Sequence, residues 1–147
     1  MANPPPPKMP PKPKPPMPAW RLKVGKAIPW LLAATVGALL LQVYLAGAGL
    51  LGADHILETH SLFANAVVRL LFTLLLLVGF VGADWRIGVV GLALTVLLEL
   101  QYGLIEAGDG GVRGLHAANG AIMILISAVA LMRRLPWAPL GPARSSA

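Results

Sequence analysis

Four long apolar stretches dominate the chain, each closed by a short polar break. Residues 27–53 carry no charge at all. Residues 61–83 are interrupted only by Arg69, residues 87–105 only by Glu99, and residues 114–132 by no acid, lysine or arginine. About 20 apolar residues cross a bilayer at about 1.5 Å per residue, so each stretch predicts a spanning helix. The first is far longer than the apolar core of about 7–15 residues in a cleaved signal peptide, and it reads as a retained span. The breaks, at about 53–60, 84–86 and 106–113, are short, which makes consecutive helices antiparallel neighbours. The predicted fold is therefore all-α: an integral membrane up-down four-helix bundle over residues 27–134.

The ends read differently. Residues 1–18 hold ten of the fourteen prolines and three lysines. Proline lacks the amide donor and fixes φ, so this stretch predicts a disordered, extended, solvated tail. Together with the basic segment after it, it forms a proline- and lysine-rich tail over 1–26. A short second tail covers 135–147. The first tail is either a solubilising segment, a ligand for a PxxP-reading groove or a strap on anionic lipid.

Composition narrows the class. The chain is 56% hydrophobic and only 12% charged, where a soluble domain carries about 25% charged residues. No cysteine is present, which excludes disulfides, thiolate metal sites and thiol catalysis. The net charge of +6 does not point to nucleic acid, because the lysines of the tail alternate with proline rather than with aromatic residues. Position explains it instead. Lys8, Lys12, Lys14, Arg21, Lys23, Lys26, Arg86, Arg133, Arg134 and Arg144 fall on one side of the predicted bundle, and Arg113 alone falls on the other. That asymmetry places both termini in the cytoplasm. Trp20, Trp30, Trp85 and Trp137 fall near the same inner boundary, as interfacial anchors do.

Within the spans, small and polar residues recur at helical spacing: Thr35, Ala38, Gln42, Ala46 and Gly49; Gly88, Gly91, Thr95, Glu99 and Tyr102; His116, Gly120, Met123 and Ser127. Such stripes pack membrane helices. Arg69 and Glu99 need more, because charges within a span are costly and are usually paired. They lie about 12 and 9 Å below the outer edge on adjacent spans, which predicts a structural ion pair.

The three histidines carry the candidate chemistry. His55 and His60 sit just before or at the start of the second span, and His116 opens the fourth. His60 and His116 head parallel helices in one layer, and imidazole is a common ligand of metals and haem iron. Two imidazoles facing each other across a bundle make a bis-histidine haem site, with His60 and His116 as axial ligands. Gly120, one turn below His116, would leave room for the macrocycle, as would Ala64 below His60. Met123 and Phe63 would pack on it, and Arg113 or Arg69 would neutralise its carboxylates. Helical phase points Arg69 nearly opposite to His60, however. A zinc site from His55, His60 and His116 with Asp54 or Glu58 is the other possibility, without the tight ligand spacing zinc sites favour.

From about Leu40 to Arg134 the chain resembles a small bacterial family of four-span membrane proteins of unknown function. The likeness rests on LQVYLAGAGL (41–50), ETHSLFANAV (58–67) and LHAANG (115–120). More distantly, the layout is similar to one half of haem A synthase and to other four-helix b-type cytochromes. Those place haem-ligating histidines on the second and fourth helices, roughly sixty residues apart. Here His60 and His116 are 56 residues apart, with Ala64 where such families often carry glycine. The resemblance implies a bacterial inner-membrane protein with haem b on His60 and His116, and implies nothing for His55.

Two functions follow as expectations. One is a b-type haem protein that passes electrons near the outer face. The other is an accessory subunit of a larger respiratory or photosynthetic membrane protein complex. A small transporter ranks behind both, because no broken helices or inverted repeats are evident. Stand-alone catalysis finds no motif: Ser61 beside His60 is no nucleophile elbow, and GDGG (108–111) follows no strand.

Overall fold

A computed structural model describes residues 18–52, 54–106 and 110–134. The proline-rich stretch before Pro18 and the expected second tail lie outside the described residues. Five α-helices and two π-helical segments follow one another: α1 (Ala19–Leu50), α2 (Asp54–Phe63), a π segment (Ala64–Val68), α3 (Arg69–Leu77), a second π segment (Val78–Ala83), α4 (Trp85–Glu106) and α5 (Gly110–Met132). From α2 to the second π segment the helix is continuous and forms the second span. Ala19–Leu50, His55–Val81, Trp85–Glu106 and Gly114–Met132 are each long and apolar enough to cross a membrane.

The spans form a four-sided bundle. α1 packs on the second span and on α5, and α4 packs on α3, on the second π segment and on α5. The second span and α5 therefore stand across one diagonal, and α1 and α4 across the other. This is the cyclic order that short connections impose.

Helix ends depart from the expected boundaries. α1 begins at Ala19, so the basic segment Arg21–Lys26 is helical rather than tail. The charges there mark where an apolar span ends, not where a helix does, and Arg, Leu and Lys are good helix formers. Likewise α2 starts at Asp54 and takes up residues expected in a loop. After α1 the chain turns at Leu51 and Gly52, with Gly52 at φ +109°, a conformation L side chains rarely adopt.

The core is apolar toward the arginine-bearing end. Ile28, Leu32, Val68, Phe72, Leu75 and Leu94 are almost fully buried. Buried Thr35 and Ser127 turn their hydroxyls back onto the carbonyls of Leu31 and Met123, both at 2.8 Å, so neither hydroxyl is left bare. α3, the second π segment and α4 approach unusually closely. A Cβ on Gly79 would collide with the backbone of Gly88, and one on Gly91 with that of Leu76. The exterior is apolar as well: Leu40, Tyr44, Leu70, Phe80, Val96 and Leu125 are all exposed.

Candidate functional site

At the histidine end the packing changes. α2 and the first π segment contact α1 alone among the other spans, whereas α4 contacts α5. Among the described residues, no close backbone contact joins α2 to α4 or to α5. α2 therefore stands apart from α4 and α5, leaving a cleft between their backbones, while α1 packs on both α2 and α5.

His60 and His116 reach into this cleft from opposite sides. Their ring centres are 6.4 Å apart, with the planes tilted by 59°. The Nδ1–H of His60 donates to the main-chain carbonyl of Gln42, at 3.1 Å. A carbonyl can only accept, so the proton sits on Nδ1 and Nε2 keeps its lone pair. A backbone carbonyl that fixes the tautomer in this way is a common support for a ligating histidine. On the other side, His116 Nδ1 is buried and has no hydrogen-bond partner among the described residues.

Polar side chains support the α5 wall. Gln101 Nε2 donates to the His116 carbonyl at 2.9 Å. Asn119 Nδ2 donates to the Leu97 carbonyl at 2.8 Å and also to Gln101 Oε1. These bonds pin α4 to α5 around His116. A further polar atom in the same half of the bundle, Gln42 Oε1, is buried without a partner among the described residues. Buried polar atoms are normally satisfied, so His116 Nδ1 and Gln42 Oε1 keep hydrogen-bonding capacity for a group that enters this end of the bundle. Gln101 and Asn119 were not among the expected site residues. The only sequence signal was their amide type within apolar spans, which marks interhelical hydrogen bonding.

Arg69 Nη1 donates to Glu99 Oε1 at 2.6 Å, with side chains 42% and 54% exposed. The guanidinium also lies over the Tyr102 ring, 5.6 Å from its centre. The pair stands where the second span first meets α4, because every element before α3 contacts α1 alone. It is thus the tie at the base of the cleft. An uninterrupted α-helix would point Arg69 away from His60, at about 100° per residue. The π turns of Ala64–Val68 lie between the two and are wider, so they bring Arg69 round toward α4.

The other expected site residues fall as follows. Gly120 is partly buried, and a Cβ there would meet only Gln101 Nε2, at 3.8 Å, so the position leaves room below His116. Met123 is 4% exposed and belongs to the apolar core below the cleft. Arg113 lies in the first turns of α5, and its side chain is outside the described residues. His55 is exposed on α2 and makes no side-chain hydrogen bond with a described residue. Among the described residues, no three His, Asp or Glu side chains gather as a metal site, so the zinc alternative finds no ligand set.

No family model, curated protein or solved structure matches the chain. Its chemistry is read from the cleft itself.

The cleft's donor set fits a group that takes two imidazoles. An imidazole nitrogen lies about 1.1 Å from its ring centre and about 2 Å from a bound metal, so two rings on one metal have centres about 6 Å apart. The observed 6.4 Å meets that spacing. Among the described residues, no close backbone contact joins the helices that carry the two rings.

Proposed function

We propose that this chain is an integral membrane protein that holds a b-type haem between His60 and His116 and passes electrons near one membrane face. The observation that carries the reading is the 6.4 Å between the two rings across the bundle diagonal. The apolar exterior and the four long apolar helices support a multi-pass placement. The basic residues of α1, the α4 start and the α5 end support an orientation with both termini in the cytoplasm and the histidines on the far side. A bound haem supplies a one-electron iron couple whose potential the surrounding protein tunes.

The chain's own residues have separate tasks. His60 and His116 would ligate the iron. The Gln42 carbonyl holds His60 in the tautomer that ligation needs. Gln101 and Asn119 hold the α5 wall. Arg113 is the cation assigned to the haem carboxylates, with Gly120 and Met123 below the ring of His116.

The test is an absorption spectrum of the full chain, expressed with haem supplied and purified in mild detergent, oxidised and then dithionite-reduced. A Soret band that shifts on reduction, with resolved α and β bands, is the expected result. A colourless protein overturns the reading.

A second reading rests on the Arg69–Glu99 pair. Both side chains are about half exposed within the spans, and hydrocarbon is a poor solvent for them. A helix of a neighbouring subunit would cover them, which makes the chain an accessory subunit of a larger membrane protein complex. The absence of native cysteine allows a direct test. A single Thr73→Cys or Val96→Cys should cross-link to a neighbour in native membranes, and Leu125→Cys on α5 should not. Equal behaviour of all three variants overturns it.

A further inference from the structure

The arginine-bearing end holds a second feature, remote from the histidines. A groove of about 550 Å³ runs between α4 and α5. Its walls are apolar, including Val90, Leu125 and Val129, and its mouth carries Asp84, Arg86, Arg133 and Arg134. Asp84 accepts from Arg134 Nη2 and, through its other carboxylate oxygen, from the backbone N–H of Arg86 at 3.0 Å. One carboxylate thus joins the start of α4 to the end of α5 and neutralises one of three guanidinium groups. Arg86 and Arg133 are exposed, so the mouth keeps a net positive charge.

We propose that this groove binds one anionic phospholipid, its phosphate on Arg86 and Arg133 and an acyl chain along the α4–α5 wall. Guanidinium groups match phosphate oxygens in charge and geometry. Basic pockets between spans on the cytoplasmic side are suited to anionic headgroups. A free phosphate would use the mouth alone; the apolar walls continue past it and select a lipid. Asp84 is a positioning residue, because it holds the mouth together without facing the phosphate as a donor. The proposal rests on the spans crossing a bilayer. That premise fails separately, if the chain stays dispersed in buffer without detergent.

Native mass spectrometry of the full chain in detergent tests it, with phosphatidylglycerol and phosphatidylcholine of identical acyl chains as probes. The expected result is at least tenfold tighter retention of phosphatidylglycerol. Arg86→Gln with Arg133→Gln should abolish that preference. Val129→Phe, which fills the groove, should weaken retention of both lipids while helix content by circular dichroism is unchanged. Each arginine replaced singly should give a partial loss, which covers a double variant that fails to fold. Equal retention of the two lipids overturns the proposal. So does a preference that survives both glutamines, indifference to Val129→Phe, or displacement of the lipid by millimolar inorganic phosphate.

Discussion

His60 and His116 face each other across the bundle diagonal with ring centres 6.4 Å apart, although no backbone contact joins their helices. Replacing either one should remove six-coordinate haem without unfolding the bundle, because the buried core lies below them. His60→Ala and His116→Ala should each lose the sharp reduced α band in visible spectra. Circular dichroism should show the helix content retained. A full α band in either variant would remove that histidine from the ligand pair.

The tie at the base of the cleft predicts a coupling. Arg69→Leu leaves the Glu99 carboxylate without its partner within the spans. An uncompensated charge there should cost about 2–3 kcal/mol, seen as easier unfolding in denaturant–detergent mixtures. Combining it with Glu99→Leu removes both charges and should recover much of that loss, since the pair itself contributes little net stability. A double variant no more stable than Arg69→Leu alone would show that the two side chains do not act as a pair.

Close approach of the helices makes a third prediction. Gly91 faces the Leu76 backbone and Gly79 faces the Gly88 backbone, with no space for a Cβ in either case. Gly91→Ala should therefore destabilise by about 1–3 kcal/mol, the usual cost of overpacking. Gly120→Ala has only Gln101 Nε2 near it at 3.8 Å and should leave thermal stability nearly unchanged. Equal melting temperatures for the two variants would refute the assigned difference.

The helical bundle of the described residues, and the pairing of Arg69 with Glu99 on its long apolar helices, could be read from the chain. Charge-free lengths identify helices, and depth along adjacent antiparallel spans matches Arg69 to Glu99. Helix ends could not be read in the same way, because the charges at Arg21–Lys26 bound an apolar stretch while the helix runs on through them. Nor could the phase of Arg69, because constant rotation per residue fails across the π turns at Ala64–Val68. The cleft itself was invisible, since the parting of α2 from α4 is a property of packing between spans. The Gln42 carbonyl that orients His60 is a main-chain atom, on which side-chain patterns are silent.

At the other end of the bundle, Asp84 links stability to pH. Burial alone would raise its carboxyl pKa, but the hydrogen bonds from Arg134 and from the Arg86 backbone, with both positive charges, hold it below the ordinary carboxylate value. A carboxyl depressed on folding stabilises fully above its unfolded pKa of about 3.9 and loses that contribution as pH falls through the lower folded value. Asp84→Asn lacks the charge at every pH. At pH 6 it should melt below the parent by the equivalent of about 1 kcal/mol, between an exposed and a buried pair. Below pH 4 the gap between the two should narrow, and it should close once pH lies below the lowered folded value, where the parent carboxyl takes up its proton in the folded state too. A gap that stays constant from pH 6 to pH 3 would mean that the ionised Asp84–Arg134 contact does not bind the α4 start to the α5 end.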